Sequence, residues 1–195
     1  MKKIAIFLLF FITSCTKYTD LNELSIIKSI GIAYENNYTL YAEIYDEIKK
    51  DNIPQTKIIK ASGKTINKAF QNIQLMTNKD IFFSHIDLLI LDINLTDNNY
   101  QEIIDFFINN NHFRNDYFCF FSNNIDFLLN NSKYNEIENF LNTNYKNKII
   151  VKKSFDEIIN NYLEKKSFTL PLIVYDQQIK YSGNYYFSND KIEGD

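Results

Sequence analysis

The chain has 195 residues, 45% of them apolar and 16% aromatic, with a formal net charge of −3. Such a composition buries enough surface to offset chain entropy, which excludes a disordered protein. The acidic balance excludes the basic field that holds a nucleic-acid backbone.

At the N-terminus, Lys2 and Lys3 precede the apolar run Ile4 to Ile12, followed by Thr13, Ser14 and Cys15. A basic start, an apolar core of about ten residues and small residues at a cleavage site describe a secretory signal; a spanning helix needs roughly twenty apolar residues. Ile12-Thr13-Ser14-Cys15 has the form of a bacterial lipobox, in which diacylglycerol is attached to the thiol and cleavage leaves the cysteine as the new N-terminus. The expected layout is a lipoprotein signal peptide over residues 1–14 and a single domain over 15–195. Loss of Lys2 and Lys3 takes the net charge from −3 to −5. With Cys15 lipidated, Cys119 is the one remaining thiol and no intramolecular disulfide forms.

Beyond a short polar tether, Asp20 and Glu23 have the spacing of a capping box and predict a short helix through Ile27. Residues 29–34 and 38–45 are β-rich and separated by Glu35-Asn36-Asn37, which predicts a hairpin. Its second strand sets Tyr38, Leu40, Ala42 and Ile44 on one face and Thr39, Tyr41, Glu43 and Tyr45 on the other. Residues 57–60 extend this sheet after the turn around Pro54. Ser62-Gly63-Lys64-Thr65 opens a helix whose apolar face is Ile66, Ala69, Phe70, Ile73 and Met76. The unbroken run Leu88-Leu89-Ile90-Leu91, within residues 87–92, predicts a central strand covered on both sides. A helix follows from Leu95 or Thr96 to Asn109, then a strand over 117–121.

Helices over residues 124–129, 134–141 and 154–163 come next, the last with Phe155, Ile158, Ile159 and Leu163 in register. Strands over 170–175 and 178–187 close the chain, the second broken near Gly183 by a bulge or a close backbone approach. The fold class is α/β: a mixed sheet packed with several helices in one domain.

Little of the recognised catalytic chemistry is present. Gly63-Lys64-Thr65 resembles the end of a phosphate-binding loop, but the earlier glycine of that motif would fall at Ile58, so a plain helix cap is the better reading. His85 and His112 are far apart and lack a neighbouring cysteine or a His-x-x-x-His pair, so no metal site is expected. His85, at the entrance to the core strand, reads as a hydrogen-bonded structural histidine. Asp87 and Asp92 bracket the same strand as turn residues, and Cys119, inside Tyr117-Phe118-Cys119-Phe120-Phe121, reads as a buried small hydrophobe. The clusters Phe106-Phe107, Phe118 to Phe121 and Tyr185-Tyr186-Phe187 read as core. No catalytic residue and no cofactor is expected.

The order of these motifs resembles the N-terminal domain of the spore germination lipoprotein family known as Ger(x)C. The likeness is carried by residues 21–27 leading to Ile30-Gly31-Ile32, and by Ser62-Gly63-Lys64-Thr65 continuing through Ala69, Asn72 and Leu75. It extends to Phe83-Ser84-His85-Ile86-Asp87, to Ile103-Ile104-Asp105-Phe106-Phe107 with Arg114, the chain's single arginine, and to Ser182-Gly183 with Phe187, Asp190, Lys191 and Gly194. The tryptophan that follows the lipid cysteine in that family has no counterpart here, and the likeness covers the first of the family's three domains.

The resemblance implies a non-enzymatic lipoprotein attached through Cys15 to the outer face of the cell membrane, the spore inner membrane in a spore-forming host. It would act with integral-membrane subunits of a nutrient germinant receptor. The alternative from another class is a solute-binding lipoprotein that captures a small molecule in the aromatic-lined core.

Overall fold

A computed structural model of the chain describes residues 24–46, 55–110, 113, 114, 116–188 and 191–194. Within them the expected hairpin is present. Strands β1 (Leu24–Tyr34) and β2 (Tyr38–Asp46) pair antiparallel with Tyr34 opposite Tyr38, and β3 (Gln55–Gly63) pairs along the whole of β2. Helix α1 (Ile66–Leu75) returns the chain to β4 (Asp80–Phe82) and β5 (Leu88–Asp92). Helix α2 (Asp97–Ile108), strand β6 (Phe118–Ser122) and helices α3 (Ile125–Asn131) and α4 (Tyr134–Lys146) follow. Helix α5 (Phe155–Leu163) precedes strands β7 (Phe168–Asp176), β8 (Gln178–Ser188) and β9 (Lys191–Gly194).

The strands form one sheet in the order β3-β2-β1-β5-β6-β7-β8-β9, and β4 pairs with the first residues of β1. β1, β5, β6 and β7 run parallel, flanked by antiparallel hairpins, so the sheet is mixed and the fold α/β as expected. Parallel strands need crossover connections, and the helices supply them.

Helices cover both faces. On one, Ile30 and Ile32 of β1, Leu89 and Leu91 of β5, and Cys119 and Phe121 of β6 pack against α1, α2 and α5. On the other, Leu88, Ile90, Phe118 and Phe120 pack against α3 and α4. The alternation explains why residues 88–91 and 118–121 read as continuous apolar runs: both faces of these strands are dry.

Local chemistry sets the helix starts. The Thr65 hydroxyl caps α1 by accepting from the Lys68 N–H at 3.2 Å. Ser154 and Glu157 form a reciprocal capping box at α5, with Ser154 N–H donating to Glu157 Oε2 at 2.8 Å. Gly63 and Gly31 are required by space. A Cβ on Gly63 would lie 2.4 Å from the Ala69 backbone nitrogen, and one on Gly31 would lie 2.4 Å from Ile125 Cγ2. The first lets α1 turn directly off β3, and the second lets α3 rest on the sheet.

Several expectations are corrected. The helix predicted to run through Ile27 is strand from Leu24, because Leu24, Ser25 and Ile26 pair with Asp80, Ile81 and Phe82 of β4; Asp20 and Glu23 lie outside the described residues. The sequence set Tyr41 and Glu43 on the face of β2 opposite Tyr38 and Leu40, and that face is buried as well, since α3 and α4 cover it. Met76 and Leu163, placed by periodicity on apolar faces, are 55% and 63% exposed because they stand at or just past helix ends. The bulge near Gly183 is present: Pro171 faces Asn184 while Ile173 faces Tyr181, and Gly183 has φ 97. Strands β4 and β9 have no counterpart in the sequence reading.

Candidate functional site

A polar centre forms where α4 meets the sheet. Glu43 of β2, only 1% exposed, accepts from the Ser29 hydroxyl of β1 at 2.5 Å and from the Tyr134 N–H at the start of α4 at 3.0 Å. Burial raises the pKa of this carboxyl from its ordinary value, while hydrogen bonds from Ser29, Tyr134 and Thr56 pull it down. Glu43 therefore fastens the first turn of α4 to the hairpin.

Tyr134 also reaches outward. Its hydroxyl donates to Asp87 Oδ2 at 2.8 Å, and Lys28 Nζ donates to the same oxygen at 2.8 Å while lying 5.6 Å above the Tyr134 ring. Burial, followed by the nearby Asp87 carboxylate, raises the Tyr134 hydroxyl far above the usual phenol range. Asp87 lines a hollow of about 130 Å³ at the entering ends of β5 and β6, together with Arg114, Asp116, Phe118, Glu138 and Lys152. Arg114 is paired with Asp116 at 2.7 Å.

The residues singled out in the sequence are dispersed. Cys15 and His112 lie outside the described residues. His85 is exposed in the turn before β5, its ring 5.2 Å from that of Phe82. It has no hydrogen bond among the described residues, which corrects the expected hydrogen-bonded role. Asp87 proves more than a turn residue, since it joins Lys28 to Tyr134 across 59 and 47 residues of sequence. Cys119 is fully buried, and burial, with Glu157 nearby, pushes its thiol well above its ordinary pKa, as fits an inert core residue. The Phe118 to Phe121 run, Phe107 and Phe187 are core, whereas Tyr186 is 40% exposed.

A second hollow, of about 100 Å³, is lined by Phe70, Phe83, Phe106 and Phe113 with Asn67, Gln71, Gln74 and Asn110 at its rim. Its rings contact one another edge to face and stacked, with Phe70 and Phe106 centroids 4.4 Å apart. Among the described residues no group of histidine, cysteine and carboxylate side chains could hold a metal ion, and no helix is long and apolar enough to cross a membrane.

Sequence reasoning missed Glu43 and Tyr134. The one available signal was a glutamate inside a β-rich run with aromatic neighbours, Tyr41 and Tyr45, on the same face.

The residues that carried the family likeness hold structural positions: Gly31 under α3, Gly63 and Thr65 at the start of α1, Phe83 in the aromatic cluster and Asp87 in the polar centre. Comparisons with curated proteins and with solved structures give no match. A family model described as the spore germination protein N-terminal domain matches residues 17–175, most of the chain. With the α/β architecture and its signature residues in these places, the chain belongs to the family of spore germination protein N-terminal domains.

Proposed function

We propose that this protein is a lipoprotein subunit of a spore nutrient germinant receptor, tethered to the outer face of the membrane through Cys15 and acting by contact with integral-membrane subunits rather than by catalysis. The observation that carries this reading is the position of the family match. It begins at residue 17, two residues after Cys15, the position at which the lipobox-like run ends, which supports reading Cys15 as the lipid site. Signal cleavage before Cys15 would leave that cysteine as the new N-terminus of the domain. A diacylated cysteine gives stable retention, where a single acyl chain gives weak, reversible binding.

The competing reading, a solute-binding lipoprotein, would use the aromatic hollow. Its volume of about 100 Å³ falls short of the roughly 300 Å³ at which small-molecule pockets begin.

The test is co-purification of the tagged full chain from native membranes, with mass spectrometry of its N-terminus and of its partners. Diacylglyceryl Cys15 together with multi-span receptor subunits is the expected result, and Cys15→Ala should release the protein into the soluble fraction. An unmodified N-terminus with the signal retained would refute the anchor; a lipidated chain recovered without receptor subunits would refute the receptor role.

A further inference from the structure

We propose that residues 146–153, the last residue of α4 and the loop that follows it, form a second membrane contact, a basic and apolar surface that rests on anionic lipid beside the N-terminal tether. The orientation toward the bilayer rests on the reading of Cys15 as the lipid site; the loop's own chemistry does not.

The sequence of the loop is Lys146-Asn147-Lys148-Ile149-Ile150-Val151-Lys152-Lys153: four lysines without an acid, in a chain whose net charge is −3. Among the described residues none of the four is ion-paired, and Lys152 Nζ lies 5.6 Å over the Phe118 ring. Other cations near this end of the sheet are already matched, Lys28 by Asp87 and Arg114 by Asp116. Lys152 shares the hollow with Asp87, Asp116 and Glu138, whereas Lys146, Lys148 and Lys153 have no ion pair among the described residues and can meet an anionic surface.

Between the lysines, Ile149 and Val151 are 51% and 59% exposed, while Ile150 is 3% exposed within the core on the α4 side. A scattered exposed aliphatic is ordinary; two that flank a buried anchor, set among lysines, make a compact apolar tip with a basic rim. The loop is held by its backbone. Lys148, at φ 58, donates its N–H to the Tyr145 carbonyl at 2.9 Å, and Ile149 N–H donates to the Asn144 carbonyl at 2.9 Å. Interfacial segments combine the same elements, aliphatic side chains that enter the headgroup region and lysines that meet anionic headgroups.

The fold places this loop at the edge where the tether enters. Cys119 N–H donates to the Lys153 carbonyl at 3.2 Å and Phe118 bridges Ser154, so the loop ends at the entering end of β6. β1, β5 and β6 are parallel, so the chain comes into β1 at Leu24 from the same edge. Leu75 and Met76, 79% and 55% exposed, stand there too, shortly before Asp80, the residue that pairs with Leu24. From Cys15 to Leu24 the chain spans nine residue steps, at most about 30 Å when fully extended. A lipidated Cys15 thus keeps this edge close to the bilayer.

The chain contains no tryptophan, so a single introduced indole reports its own position. The experiment places full-length Val151→Trp in vesicles of phosphatidylcholine and phosphatidylglycerol at 7:3 carrying brominated acyl chains. Phe127→Trp on α3, exposed beside Tyr175 near the far end of β7, serves as the control. The expected result is a blue shift and quenching at position 151, neither at 127, and loss of both effects in pure phosphatidylcholine or when Lys148→Glu, Lys152→Glu and Lys153→Glu are added. Mass spectrometry of the same sample reports Cys15 separately. Lipid on Cys15 without quenching at 151 overturns the loop contact and leaves the anchor standing. Quenching at 151 with unmodified Cys15 upholds the contact and removes the anchor. Equal quenching at 127 and 151, or no quenching with photo-crosslinking from position 151 to a protein in native membranes, overturns the proposal.

Discussion

Replacing Glu43 tests the polar centre most directly, because alanine and glutamine remove different things. Glu43→Ala deletes the acceptor for the Ser29 hydroxyl and the Tyr134 N–H and strands both donors in a region where Ser29 is 0% exposed. Each stranded donor costs about 1–3 kcal/mol, and removal of a poorly solvated carboxyl offsets part of that, so a net loss of about 2–4 kcal/mol is expected. Glu43→Gln keeps the shape and one acceptor oxygen and abolishes titration. The folded-state pKa of Glu43 is raised above its ordinary value of 4.5. Its contribution to stability is therefore fully present below 4.5 and is lost as the pH rises through the folded-state value. The native chain should lose stability relative to Glu43→Gln as pH rises from 4.5, then level off. Urea unfolding followed by far-ultraviolet circular dichroism at a series of pH values measures the difference. A native chain that gains on Glu43→Gln over the same range would refute the reasoning, for it would mean that the hydrogen bonds from Ser29, Tyr134 and Thr56 outweigh burial.

Tyr100 is 1% exposed, and its hydroxyl has no hydrogen-bond partner among the described residues. Tyr100→Phe should be neutral or stabilising by up to about 2 kcal/mol in chemical denaturation; a loss above 1 kcal/mol would reveal a bound partner for that hydroxyl. Gly31→Ala should cost about 1–3 kcal/mol through overlap with Ile125, and adding Ile125→Ala should recover part of that cost, a coupling that a double-mutant cycle measures. Additive losses would show that the two sites do not touch. Cys119 should resist maleimide in the native state at pH 8 and react on unfolding, and native-state labelling at the unfolded rate would contradict its burial.

The site was less legible than the fold. Asp87 could be placed at the head of the core strand from the sequence, but its partners Lys28 and Tyr134 stand 59 and 47 residues away, and no local pattern joins them. Gly63 and Thr65 stood out as a motif, and the structure shows why those residue types are there: a close approach of β3 to α1, and a side-chain cap.

What the sequence determined by itself is whatever depends on a residue and its near neighbours. The apolar runs at 88–91 and 118–121 announced strands covered on both faces. The 3.6-residue spacing of Ile66, Ala69, Phe70 and Ile73 announced a helix with one buried face, and Glu35-Asn36-Asn37 announced the hairpin. The tertiary structure alone decided that Leu24 and Ser25 are strand, because their pairing comes from β4, more than fifty residues later, whereas Ile26 and Ile27 also pair with Tyr45 and Ile44 of β2. It alone decided that Glu43 is buried, because the covering N–H lies 91 residues away, and that residues 146–153 share an edge with the entry of the chain. Periodicity records which face of an element is apolar; which partner covers that face is set by long-range pairing, for which the local sequence holds no signal.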